Sequence, residues 1–194
     1  EITGKALAQD DKRKDVVLAT KAGIEWIAEE NKVWRNASQQ RIVKEVEDSL
    51  KRLQTDVIDV YQIHWPDPNV PMEETATIMD TLLKQGKIRA IGVSNFSPEQ
   101  MEAFRKVTDL HTCQPPYNIF EREIEKDVLA YCQQNNIKTL TYGALCRGLL
   151  SGKMSPDSSF SGDDLRNVDP KFSEPRFSQY RARRVIVQVF IYLI

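Results

Sequence analysis

The sequence predicts an α/β fold of parallel βα units forming a sector of a (β/α) barrel, and three observations carry that prediction. Strand-like apolar runs at Val16 to Thr20, Val57 to Ile63, Ile88 to Val93, His111 to Gln114 and Lys138 to Tyr142 alternate with amphipathic segments, as in parallel strands joined by crossover helices. The runs are mostly apolar at successive positions, which suits strands packed between a barrel interior and a helical layer. The first three are followed by polar residues, Lys21, His64 and Ser94-Asn95, and C-terminal strand ends build the active-site mouth of such a barrel.

Taken in order, the first strand leads to Lys21, and Trp26 and Trp34 follow in what reads as a long loop. Ser38 can cap a helix along which Ile42, Val43, Val46, Leu50 and Leu53 fall at helical spacing, giving one apolar stripe. The run Val57-Ile58-Asp59-Val60-Tyr61-Gln62-Ile63 then delivers His64 and Trp65. A second helix is expected from about Met72 to Gln85, with Pro71 at its entry and Gly86 at its stop. Ser97-Pro98 places a cap and a first-turn proline at the start of a third, and a fourth is expected over about Ile124 to Asn135. The polar, turn-rich stretch Ser155 to Pro175 reads as a long loop. About five βα units are thus expected within a partial barrel over residues 1–180. Residues 181–194 are set apart as a divergent tail, the basic cluster Arg181-Ala182-Arg183-Arg184 followed by the β-prone apolar run Val185 to Ile194.

The 27 basic and 28 acidic residues leave a net charge of -1, which provides no field to attract nucleic acid or an anionic membrane. A small substrate fits better. Cys113, Cys132 and Cys146 have neither disulfide-framework nor zinc-site spacing, and His111-x-Cys113 has no second ligand pair, so no metal is expected and a reducing cytoplasm is the simplest compartment. No secretory signal and no apolar stretch of the ~20 residues needed to span a bilayer is present. The first residue, Glu1, reads as a start in mid-protein. Neither GxGxxG nor GxxxxGK[ST] occurs, so a Rossmann or P-loop nucleotide site is not supported.

Five stretches in order carry a specific resemblance: Leu18-Ala19-Thr20-Lys21, Gln62 to Asp67 (QIHWPD), Gly86 to Phe96 (GKIRAIGVSNF), Gln114 to Asn118 (QPPYN) and Tyr142 to Lys153 (YGALCRGLLSGK). The chain resembles the middle of an aldo-keto reductase. That resemblance implies a TIM-type (β/α)8 barrel, incomplete here, and NADP(H)-dependent hydride transfer to the carbonyl of an aldehyde or ketone. It implies catalytic roles for Lys21, whose ammonium would favour a tyrosinate, and for His64, which would orient the carbonyl oxygen. Ser94, Asn95 and Gln114 match the residues that hold the nicotinamide carboxamide, and Tyr142 the aromatic residue on which the ring stacks. Gly143, Ala144, Leu145 and Arg147 match the loop around the cofactor pyrophosphate, with Lys153 nearby, and Trp65 would project towards the substrate.

The family's aspartate and acid tyrosine match no residue of this sequence, and neither do its last two strands, with their contacts to the adenosine 2′-phosphate. Impaired turnover by these 194 residues is therefore expected. A cofactor-binding regulatory subunit and an inactive fragment are the two other readings of the same residues.

Overall fold

The computed structural model describes residues 1–180 apart from 28, 29, 31 and 156. The tail of residues 181–194 lies outside the described residues. The chain divides into two compact units, Glu1–Pro115 with Glu123–Tyr142, and Pro116–Arg122 with Gly143 onward.

The first unit is organised by β4 (Ile58–Ile63), all six residues of which are buried. It pairs in parallel with β1 (Ala19–Ala22) on one side and β5 (Ile88–Ser94) on the other, and β6 (Thr112–Gln114) and β7 (Lys138–Thr139) extend the sheet in the order β1-β4-β5-β6-β7. Five parallel strands with intervening helices are the βα sector expected from the sequence, and among the described residues they do not close on themselves. The helices are α1 (Ile2–Ala8), α2 (Gln39–Leu53), α3 (Met72–Lys84), α4 (Pro98–Arg105) and α5 (Val128–Gln134).

Local sequence explains the helix boundaries. The Ser38 side chain accepts the Arg41 N–H at the start of α2, and Ile42 and Val46 are fully buried beneath it. Val43, assigned by spacing to the same stripe, is exposed instead; Ile42 and Val46 are the positions of α2 that are buried. Gly86, at φ 73, follows α3, the left-handed position that glycine fills without a Cβ penalty. Ser97 and Gln100 form a reciprocal capping box at α4.

Several expectations need correction. The first strand begins at Ala19, and Val16 and Val17 are exposed, because β1 is an edge strand whose pairing with β4 starts only there. Trp26 and Trp34 lie on an antiparallel hairpin, β2 (Ile24–Ile27) with β3 (Lys32–Arg35), rather than in a loop. The helix expected from Ile124 is broken into a 3₁₀ turn (Glu123–Glu125) and α5, because Asp127 caps Val128 N–H in a non-helical conformation. The last strand has two residues, both exposed, since only β6 pairs with it.

Asp59 ties the edge strand to the sheet. Its carboxylate accepts the Leu18 N–H at 2.8 Å and pairs with Arg13 at 2.8 Å and Arg89 at 2.6 Å. Burial pushes the carboxyl up, but the Leu18 bond and the two guanidiniums outweigh it and hold the group below its ordinary value. Its contribution to stability is present above the ordinary carboxylate pKa of about 3.9 and is lost as pH falls through the depressed folded value.

The second unit has its own apolar cluster of Cys146, Leu149, Met154 and Phe177, with Phe160 and Phe172 packed against it. The stretch expected to be a long loop contains two 3₁₀ turns, Leu165–Asn167 and Pro170–Phe172. Its aromatic rings give it something to fold around: Phe160 meets Phe172 edge-on at 5.3 Å.

Gly92 lies in the most crowded part of the sheet. A Cβ there would stand 2.3 Å from Thr112 Oγ1 and 2.6 Å from Gln62 Cγ, whereas at Gly86 it would meet nothing within 4 Å. Gly92→Ala is therefore expected to lower unfolding free energy by about 2–3 kcal/mol through overpacking, and Gly86→Ala by only about 1–2 kcal/mol through its positive φ. Urea denaturation of the two variants checks this order.

Candidate active site

Side chains alternate across a strand, and Tyr61 fixes which face of β4 is which. Its hydroxyl donates to Ile42 O of α2 at 3.4 Å, so Tyr61 and Ile63 face the helices and Gln62 and His64 face the opposite side. Register carries that side across the sheet: Lys21 is level with Gln62, Gln62 with Gly92, and Gly92 with Thr112. Gln62 and Thr112 are buried, and neither Gln62 Oε1 nor Thr112 Oγ1 has a hydrogen-bond partner among the described residues.

One step further along the strands, Ile63 is level with Val93 and Ser94 with Gln114, which brings His64 beside Ser94. The His64 N–H donates to Ala22 O at 2.8 Å, anchoring it to the end of β1. Its imidazole is held below the ordinary histidine value, first by burial and then by the positive charge of Lys21. Histidine at neutral pH is therefore the uncharged imidazole, with one N–H to donate.

Asn95 is the hub of the rim. It has a left-handed backbone, φ 63, which asparagine tolerates better than most side chains. Its N–H reaches Gln114 O at 3.3 Å. Its Nδ2 donates to His64 O at 3.0 Å and to Ser94 Oγ at 3.0 Å, while its Oδ1 accepts the Tyr142 hydroxyl at 2.8 Å. Ser94 in turn donates to Gln114 O at 2.8 Å. Lys21, His64, Ser94, Asn95, Gln114 and Tyr142 thus share the C-terminal end of one sheet, and the hydrogen bonds to Gln114 involve its backbone carbonyl. Trp65 follows His64 and has the Arg35 guanidinium over its ring at 4.9 Å, a cation–π contact that holds the hairpin against it.

The remaining candidates belong to the second unit. Gly143 (φ 74), Cys146 (φ 47), Arg147 (φ 51) and Gly148 (φ 90) all have positive φ, and two non-glycine residues in that region cost about 1–2 kcal/mol each. Strain of this kind collects at functional loops. Ala144 and Leu145 are exposed. Arg147, expected from sequence to face phosphate, is paired through Nε with Asp169 Oδ2 at 2.8 Å. Lys171 binds Glu121 at 2.7 Å and lies 3.7 Å from the same Asp169 carboxylate.

Two residues of the quoted motifs received no role from the sequence. Asn118 donates to Gly143 O at 3.0 Å and accepts from the N–H groups of Phe120 and Glu121 at 2.9 and 3.1 Å, so it anchors the start of the strained loop. Asp67 accepts Ala37 N–H and Asn69 N–H, both at 2.9 Å, and fixes the turn after His64. Their place inside QPPYN and QIHWPD was the signal. Among the described residues no group of three His, Cys, Asp or Glu could hold a metal ion, and no helix is long and apolar enough to cross a membrane.

Comparison with known proteins gives the family. A family model described as "Aldo/keto reductase family" matches residues 1–186. The aldo-keto reductase YhdN of Bacillus subtilis is 62% identical over 180 residues, covering 93% of this chain and 54% of that protein. The glycerol dehydrogenase AKR11B4 of Gluconobacter oxydans superposes with a TM-score of 0.84 at 54% identity, covering 93% of this chain and 56% of that one. An aldo/keto reductase of Klebsiella pneumoniae, solved with NADP and acetate, superposes with a TM-score of 0.64 at 32% identity, covering 86% and 53%. The chain spans about half the length of the curated relatives it matches.

The chain has two histidines, and the titration of His64 can be followed on its own by NMR. Lys21→Met removes the charge and should move the His64 midpoint up towards about 6.5, recovering only part of the depression because burial is the larger cause. The sign follows for stability: a lowered imidazole pKa destabilises the fold as pH drops below the ordinary histidine value, and Lys21→Met should lessen that loss.

Proposed function

The chain belongs to the aldo/keto reductase family, and from that premise we propose that it contributes the nicotinamide end of an NADP(H)-dependent reductase of aldehydes or ketones. NADP(H), when bound, supplies the hydride. What supports the reading most is the pairing of Lys21 with His64, a charge felt by an imidazole at adjacent strand ends, beside the Ser94–Asn95 pair. The Klebsiella relative solved with NADP supports the cofactor class.

The roles follow from the groups themselves. Lys21 supplies positive charge at the mouth, which stabilises negative charge developing on a carbonyl oxygen. His64, neutral near pH 7, donates one hydrogen bond to that oxygen and orients it. Ser94, Asn95 and Gln114 hold the carboxamide, the Tyr142 ring forms a wall for the nicotinamide, and Trp65 faces the substrate. Gly143, Ala144, Leu145 and Arg147 offer the pyrophosphate backbone N–H groups and, at Arg147, a charge shared with Asp169.

The acid that protonates the carbonyl is not assigned to a residue of this chain. The Tyr61 hydroxyl is turned to Ile42 O, the Tyr131 hydroxyl donates to Glu102 and the Tyr142 hydroxyl to Asn95. Low turnover by the 194 residues alone, with cofactor binding retained, is part of the proposal. A reducing cytoplasm suits the three free, buried cysteines.

Fluorescence of Trp26, Trp34 and Trp65 provides the test. NADPH should quench it saturably, and Tyr142→Ala should weaken binding roughly tenfold by removing one stacked aromatic contact. A soluble, folded chain showing no saturable quenching would overturn the proposal.

A further inference from the structure

Two thiols that the reductase reading does not use meet behind the rim. On β6, Thr112 lies on the side of Gln62, since both crowd the position a Cβ of Gly92 would take. Side chains alternate along a strand, so Cys113 points the other way, into the helical layer, where it is fully buried. α5 lies on the crossover from β6 to β7, and its buried residues are Val128 and, one turn on, Cys132. The backbone closes the approach: Ile137 N–H donates to Cys132 O and Leu140 N–H to Cys113 O, both at 2.9 Å, while Thr139 is level with Cys113. There the Cys113 S–H donates to Cys132 Sγ.

That bond acts oppositely on its two ends. It raises the Cys113 thiol, with burial adding to the rise, and it lowers Cys132 below the ordinary thiol value, with burial opposing. Cys132 is the nucleophile of the pair and Cys113 its resident proton donor.

We infer that Cys113 and Cys132 form an oxidation site, which hydrogen peroxide converts to an intramolecular disulfide between β6 and α5 and which thereby regulates cofactor binding at the rim. Cys132 sulfur attacks one peroxide oxygen, the O–O bond breaks, an S–O bond forms, and the thiol proton leaves with the released hydroxide as water. Cys113 sulfur then attacks Cys132 sulfur; the S–S bond forms, the S–O bond breaks, and the departing hydroxyl takes the Cys113 proton as a second water. The two thiols lose two electrons and the peroxide gains them. α5 has seven residues and β7 two, both exposed, so the oxidant needs only local opening of this short edge to reach the pair.

A disulfide of about 2.05 Å is shorter than a contact between two thiols, so closure draws β6 towards α5. Cys113 precedes Gln114, whose carbonyl accepts the Ser94 hydroxyl at 2.8 Å and the Asn95 N–H at 3.3 Å, and the displacement is delivered to those two bonds. The regulatory part rests on the reductase reading above; disulfide formation does not.

The test treats the full 194-residue chain with hydrogen peroxide, alkylates the remaining thiols and digests with trypsin, which places the three cysteines on separate peptides, 107–122, 127–138 and 139–147. The expected map joins 107–122 to 127–138 and leaves Cys146 alkylated. The oxidised chain should bind NADPH roughly fivefold more weakly, the loss of about one hydrogen bond, and dithiothreitol should restore it. Cys132→Ala should bind NADPH as wild type does and keep that affinity after peroxide. A map with no such link, or with one through Cys146, would overturn the inference, and so would a linked chain of undiminished NADPH affinity. A reduced chain that fails to bind NADPH would remove the reductase reading and the regulatory part with it, and the peptide map would still decide the thiol pair.

Discussion

The parallel register of β4 between β1 and β5 is the constraint on which the rest depends. Because side chains alternate, one choice of register decides that Tyr61 and Ile63 face the helices and that Lys21, Gln62 and His64 face the other way. A one-residue slip would turn a lysine and a glutamine into the helical layer. Gly92 reinforces the choice from the neighbouring strand, since no other residue leaves room for Gln62 and Thr112, and Asp59 reinforces it at the edge by holding Leu18.

From that register the rim follows with little freedom. His64 is fixed to β1 through its N–H and to Asn95 through its carbonyl, and Asn95 and Ser94 are fixed in turn to Gln114. Polar groups at the strand ends are therefore positioned by backbone atoms of the adjacent strands, the most rigid partners a sheet provides. The second unit solves a similar problem differently: Asn118 binds Gly143 O, and the consecutive positive-φ residues Cys146 and Arg147 are held by a buried apolar cluster that includes Cys146 itself.

Much of this was legible in the sequence because the signals were local or periodic. The helix at Ser38, the stop at Gly86 and the capping box at Ser97 are short-range chemistry, and β4 is an uninterrupted buried run. The five ordered motifs placed the fold and the family. What was not legible depended on partners distant in the chain. The extent of the first and last strands is set by edge pairing, the hairpin that carries Trp26 and Trp34 by a register between two short segments, and the engagement of Arg147 by Asp169, with Lys171 near the same carboxylate. Asn118 and Asp67 were visible as motif residues, but their work is to bind backbone groups, which spacing alone does not reveal.

The claim at the centre of this account is that Lys21, His64 and Asn95 face one ligand at one strand end. The most direct measurement is the intermolecular NOE between the His64 ring protons and the nicotinamide C4 proton of bound NADP+. A cross-peak to His64, lost when Tyr142 is changed to alanine, is the predicted result. Binding accompanied by adenosine contacts elsewhere, with no transfer between nicotinamide and His64, would contradict the account.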